Sequence, residues 1–232
     1  MKLNLLLYKL ENKIRKIAIE RLMTIITVCM AIVLAADTLI GLYTGGAAPS
    51  INSFLTFNRA LIFKGQVWRI LSFVIAYPAS SNIFFTLLAL YFFWWIGTSV
   101  EGYFGKARFN LYYFFGIILT IIAGFITGAA NNTYLNLSLF LAFATTFPEQ
   151  KVLLFFFFPI KVKWLGLAEA ALLLFSLVTS IIFLDLVTIA MIIAAIVNYF
   201  IFFGNNLINN TKRAYREYKW RRGNGGGNNY YG

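Results

Sequence analysis

The chain has 232 residues, 60% of them apolar and only 12% charged, with a mean hydropathy of +0.76, values that exclude a soluble globular domain and predict a lipid-embedded chain. Twenty Lys and Arg against eight Asp and Glu leave a net charge of +12, but these charges lie at the ends of apolar runs, which argues against nucleic acid as a partner. Histidine is absent, so the chain has no imidazole base, no Ser-His or Cys-His pair and no histidine ligand for zinc or haem.

Residues 1–21 come first, with Lys2, Lys9, Lys13, Arg15, Lys16 and Arg21 interleaved among Leu5, Leu6, Leu7, Leu10, Ile14 and Ile17. That pattern predicts a basic amphipathic helix lying in the membrane interface. The apolar run from Leu22 to Tyr43 is long enough to cross a bilayer, and Thr44-Gly-Gly-Ala-Ala-Pro is a weak cleavage site, so the run is read as a span and not as a signal peptide. The single cysteine, Cys29, lies inside this run, which leaves no intramolecular disulfide and no cysteine-based metal cluster.

Five further apolar runs follow, Ser81 to Val100, Phe109 to Gly128, Tyr134 to Phe147, Leu165 to Leu184 and Leu186 to Gly204, while Val152 to Phe158 is too short to cross. The chain therefore reads as an all-α polytopic membrane protein, with a six-span domain over residues 22–204. Six spans put both termini on one side, where they join the loops carrying Lys106 and Arg108 and carrying Lys151, Lys161 and Lys163. Only Arg59, Lys64 and Arg69 fall opposite, so the positive-inside rule predicts cytoplasmic termini.

The Tyr134 to Phe147 run would rise only about 21 Å as a helix against about 30 Å of hydrocarbon. With Asn131, Asn132, Thr133, Asn136 and Ser138 at its outer end, it is expected in the middle of the bundle, where neighbouring helices or a wet dip satisfy its polar groups. The outer segment from Thr44 to Ser80 carries Phe54, Leu55, Phe57, Leu61, Ile62, Phe63, Trp68 and Phe73, more apolar surface than a solvated loop needs, and is expected to be folded and partly immersed. Residues 205–232 turn basic and then Gly/Asn-rich, which predicts a flexible cytoplasmic tail whose cations flank the last span. No phosphate-cradling glycine loop or calcium loop is present, and neither a metal nor a cofactor is expected.

The order of several motifs carries a resemblance. Gly65-Gln66-Val67-Trp68-Arg69 in the outer loop, Gly97-x-x-x-Glu101-x-x-x-Gly105-x-x-Arg108 after the second span, and Phe147-Pro148 followed by Phe158-Pro159-Ile160-Lys161 resemble the rhomboid superfamily of intramembrane serine proteases. The opening Lys9-Leu10-Glu11-Asn12-Lys13 is similar to the amino end of a group of bacterial rhomboid-like membrane proteins, which implies a bacterial plasma membrane. The resemblance implies a six-helix rhomboid-like bundle. Physically, Trp68 and Arg69 suit the headgroup level, and Glu101 is expected to accept bonds from backbone amides or Arg108 across the tight loop that Gly97 and Gly105 permit.

The family's chemistry does not accompany its frame. Where active rhomboids carry Gly-x-Ser-Gly, this chain has Asn131-Asn132-Thr133-Tyr134, which makes Thr133 the degenerate nucleophile position. Where they carry a histidine on the sixth span, it has Val197, beside Asn198. The family's oxyanion residues on the second span correspond to Phe85 and Ala89, with Asn82 and Thr86 in a displaced register. Without a base a hydroxyl stays near its solution reactivity, so the chain reads as a pseudoprotease, as inactive rhomboids and derlins are. A non-proteolytic protein that binds or escorts transmembrane segments of other proteins is expected, through an outer cavity lined by Asn131, Asn132, Asn136 and Asn198 and through the small pairs Gly116/Thr120 and Gly124/Gly128. The alternatives are a protease using Thr133 or Ser138, and a small transporter or channel built on Asp37 and Asp185, neither of which has an evident partner in the sequence.

Overall fold

In lipid a backbone must satisfy its own hydrogen bonds, and long apolar runs do so as helices. The structure, a computed structural model, describes residues 2–78, 80, 82–154 and 158–224. After α1 (Lys2–Ile14) comes α2 (Leu22–Thr44), then a short-element region of α3 (Ile51–Leu55), β1 (Phe57–Asn58), α4 (Arg59–Phe63), α5 (Arg69–Ser72) and a 3-10 turn at Phe73–Ile75. The remainder is α6 (Ile83–Phe104), α7 (Lys106–Thr127), β2 (Ala129–Ala130), α8 (Thr133–Thr146), β3 (Lys151–Leu154), β4 (Phe158–Lys161), α9 (Val162–Ile182) and α10 (Leu186–Asn224).

Among the described residues five helices are long and apolar enough to cross a membrane: α2, α6, α7, α9 and the Leu186–Gly204 part of α10. Their outward faces are apolar, with Ile126, Phe175 and Ile182 each more than two thirds exposed, as lipid-facing residues must be. The protein is thus an all-α polytopic integral membrane protein. Of the six expected spans the remaining one, α8, is a 14-residue helix that packs against α6, α7, α9 and α10. Its Leu139, Ala142 and Phe143 are almost wholly buried, and Phe143 meets Trp95 of α6 edge-on at 5.1 Å.

The core sits between α7, α8 and α10, where Tyr112, Tyr113, Leu139, Met191 and Ile192 are at most 2% exposed. Met23 and Met30 extend it to the α2–α6 contact. Between α6 and α7 the chain turns at Gly105, whose φ of 79° a side chain would disfavour; its amide donates to the Glu101 carbonyl at 2.8 Å.

The outer segment is folded, as its aromatic content predicts. Asp37 of α2 accepts the Ile51 amide at 2.5 Å, the Asn52 amide at 3.0 Å, the Ser50 hydroxyl at 2.6 Å and the Tyr77 hydroxyl at 2.9 Å. Antiparallel β1 and β2 pair Phe57 with Ala130 and Asn58 with Ala129, stitching this segment to the α7–α8 turn. Arg59 closes the carboxyl end of α7 by donating to the Phe125 carbonyl at 2.7 Å.

The short run too brief to cross takes a definite form, and the tail departs from the sequence reading. The Val152 to Phe158 run contributes to a hairpin, β3 pairing with β4 from Lys151↔Lys161 to Leu154↔Phe158, with residues 155–157 outside the described ones. The tail expected to lack structure from residue 205 continues as helix to Asn224; residues 225–232, the Gly/Asn-rich end, lie outside the described residues. Lys, Arg, Ala, Leu and Glu between Leu207 and Arg222 are good helix formers, and a helix already nucleated by α10 extends through them one hydrogen bond at a time.

Candidate functional site

The polar centre of the bundle is built where α7, α8 and α10 meet. Ser138 on α8 is 1% exposed, and its hydroxyl donates to the Leu135 carbonyl at 2.8 Å. Having given its single proton there, it receives the Tyr112 hydroxyl at 2.7 Å. Asn198 on α10 is fully buried and approaches the same Tyr112 hydroxyl. Gly116 of α7 makes this approach feasible, since a Cβ there would collide with Leu135 and with the Asn198 amide.

This centre carries more polar atoms than bonds. Both amide atoms of Asn136 and of Asn198, and the Tyr113 hydroxyl, are buried without a hydrogen-bond partner among the described residues. The chemistry available is hydrogen bonding, not proton abstraction: the groups around Ser138 are a phenol, a carbonyl and amides. Among the described residues no group of three or more acidic or sulfur ligands converges to hold a metal ion.

The expected nucleophile and base positions are not brought together. Thr133 opens α8 as an exposed residue whose amide donates to the Asn131 side chain at 3.0 Å, an Asx turn just ahead of the helix. Val197 is 40% exposed on the outer face of α10, whereas its neighbour Asn198 points inward. The four asparagines do not share an open cavity either. Asn132 is 5% exposed and donates to the Val74 and Ala76 carbonyls at 3.0 and 2.8 Å, anchoring the outer segment, while Asn136 and Asn198 are sealed inside.

The small residues serve the protein's own bundle. Gly116 accommodates Leu135 and Asn198, Thr120 donates back to the Gly116 carbonyl, and a Cβ at Gly124 would meet the Phe57 ring at 2.7 Å. Gly128 adopts a φ of 102° at the α7 terminus. Neither pair is left as a surface for another helix. Asp37 and Asp185 also have partners. Asp37 ties down the α3 region, and Asp185 accepts the Thr188 amide at 3.1 Å at the head of α10. On α6, Asn82 caps the helix through the Phe84 amide at 2.8 Å, and Thr86 is buried.

The frame residues form two clamps. Arg69 is 3% exposed and spends its guanidinium on the outer segment itself, donating to Gln66 at 2.6 Å and to the Ser53 and Thr56 carbonyls at 2.9 and 2.8 Å. Trp68 is half-exposed, with its indole N–H on the Phe54 carbonyl at 3.3 Å. At the opposite end, contrary to the expected bond across the α6–α7 turn or with Arg108, Glu101 accepts the Leu22 and Met23 amides at 3.2 and 3.5 Å. It caps α2, whose own N-cap, Arg21, supplies no side-chain acceptor. Gly97 lies one turn before it beneath Met23.

Arg108 instead lies 4.8 Å over the Phe104 ring, 3.5 Å from Glu11 and 3.3 Å from the Phe202 carbonyl. Asn110, which carries no motif, completes this clamp by exchanging two 2.9 Å bonds with the Ile19 backbone. A single buried Asn one turn into a span is the only trace it leaves in the sequence. Glu169 is likewise unheralded: it lies on the buried stripe of α9 between Gly166 and Leu173, with one carboxyl oxygen unpartnered.

An apolar groove of about 470 Å³ lies between α8, α9 and α10. Leu141 and Ala144 of α8, Ala170 and Leu174 of α9, and Ile196 and Phe200 of α10 line it. No protein-family model, no curated protein and no solved structure matches this chain.

Proposed function

We propose that the protein is a rhomboid-like integral membrane protein without proteolytic machinery that binds or escorts transmembrane segments of other proteins, with both termini cytoplasmic in a bacterial plasma membrane. The observation that carries the reading is the engagement of Ser138: its proton goes to the Leu135 carbonyl and its oxygen receives Tyr112. Neither partner takes a proton from a serine, because a phenol keeps its own at neutral pH and a carbonyl is not a base. The motif order of the outer clamp and of the α6–α7 region supports the rhomboid frame.

The groove between α8, α9 and α10 supports the binding role, being apolar and as large as a few side chains of a docking helix. The 14-residue α8 supports it too, since a bilayer thinned beside a short span lowers the cost of holding a polar foreign helix. The test is photocrosslinking in proteoliposomes with a single-span reporter peptide, using a benzoylphenylalanine in place of Leu174 and, as control, in place of Leu39 on α2. A crosslink to intact reporter from the groove position alone supports the reading; equal crosslinking from both positions, or none from the groove, contradicts it.

A further inference from the structure

A second pocket, of about 390 Å³, lies at the basic end of the molecule between α1 and the head of α7. It is bounded by Glu11, Asn12 and Arg15 on the α1 side and by Gly105, Lys106 and Arg108 on the other, three cations against one acid. No side chain caps α7, and the amides of Lys106, Ala107 and Arg108 precede any carbonyl partner within the helix. An anion seated here would meet the positive end of a 22-residue helix as well as the side-chain charges.

The cations are unequally occupied. Lys106 reaches Glu20 at 2.5 Å on the surface. Arg108 gives one N–H to the Phe202 carbonyl, but its Nε is buried without a hydrogen bond, the nearby Glu11 oxygen lying 3.5 Å away. Arg15 makes no hydrogen bond or ion pair among the described residues. The pocket also sits where α6 ends, α7 begins and the amphipathic α1 docks with Leu7 buried, the level of the lipid headgroups for helices that cross a bilayer.

We propose that this pocket binds a phosphate ester, and that its source is the headgroup of an anionic phospholipid in the leaflet that α1 lies on. Arg15 donates to the phosphate oxygens, Lys106 and Arg108 add positive charge at the pocket wall, and the α7 amides complete the cradle. The site is separate from the apolar groove and does not depend on what that groove holds.

The full chain, purified in a neutral detergent, is melted by tryptophan fluorescence with increasing short-chain phosphatidylglycerol, short-chain phosphatidylcholine or glycerol phosphate. The melting temperature is expected to rise saturably with phosphatidylglycerol alone. Arg15→Gln, which breaks no bond of the apo protein, is expected to raise the half-saturating concentration about tenfold, the loss of one charge-assisted bond, and Arg15→Lys to restore most of it. An equal rise with phosphatidylcholine, an unchanged response in Arg15→Gln, or an equal weakening in the tail variant Arg213→Gln would overturn the pocket. A rise with glycerol phosphate as large as with the lipid would overturn the headgroup as its source.

Discussion

The carboxylate of Glu101, near the end of α6, accepts the Leu22 amide at 3.2 Å and so caps a helix 79 residues earlier in the chain. Helix ends leave orphan amides, and burial at this contact denies them water: Glu101 is 9% exposed and Leu22 4%. Removing the carboxylate strands the Leu22 and Met23 amides. Glu101→Ala is expected to cost about 2 kcal/mol, and Glu101→Gln, which keeps a carbonyl acceptor, about half of that. Thermal unfolding in detergent measures both; an alanine variant as stable as the parent contradicts the cap.

One turn earlier, Gly97 is the reason α2 and α6 lie so close, because a Cβ there would overlap the Cβ and Cγ of Met23, and that Cβ is fixed by the backbone. Gly97→Ala is expected to destabilise by about 1–3 kcal/mol through overpacking. Met23→Ala also destabilises, by leaving a cavity. Combined, the two are expected to cost clearly less than their sum, and a double-mutant cycle giving strict additivity would mean that the residues do not touch.

At the other end, Arg69 is the buried hub of the outer segment, and its three acceptors, Gln66, Ser53 and Thr56, match the fork of a guanidinium. A lysine presents a point charge and cannot reach all three. Arg69→Lys is therefore expected to loosen residues 51–58 while leaving α6–α10 intact. Hydrogen exchange should show faster exchange in that segment alone; unchanged protection there argues against the hub.

The hairpin between α8 and α9 is tethered by pH-sensitive charge. Glu149 receives Lys161 and Lys163, each at 2.7 Å, and these two ammonium groups hold its carboxyl down to about 2 from an ordinary value of 4.5. A depressed acid stabilises the folded form above its unfolded value, and the contribution fades as the pH falls from about 4.5 towards 2. The pair is exposed, so salt should weaken it. Hairpin exchange is expected to quicken over that window in the parent and to be flat in Glu149→Gln, once the intrinsic pH dependence is subtracted.

The long helices were readable because a twenty-residue apolar run has one stable form in lipid. The shortness of α8 was readable for the same reason, from run length alone. The two clamps were not. Glu101 to Leu22 and Asn110 to Ile19 join residues 79 and 91 positions apart, and side-chain to backbone bonds leave no periodicity behind. The asparagines misled because polarity at the end of a span reads as a wet cavity, whereas Asn131 makes a turn before α8 and Asn132 anchors a loop. The tail misled through its Gly-rich end, which masked the helix formers that precede it.

The central claim is that the Ser138 hydroxyl hydrogen-bonds within the bundle and does not attack a carbonyl. It is tested most directly by incubating the reconstituted protein with a fluorophosphonate probe and a single-span reporter peptide, then weighing both by mass spectrometry. The account predicts unlabelled protein and uncut peptide. Stoichiometric labelling together with peptide cleavage, both abolished by Ser138→Ala or by Thr133→Ala, would contradict it.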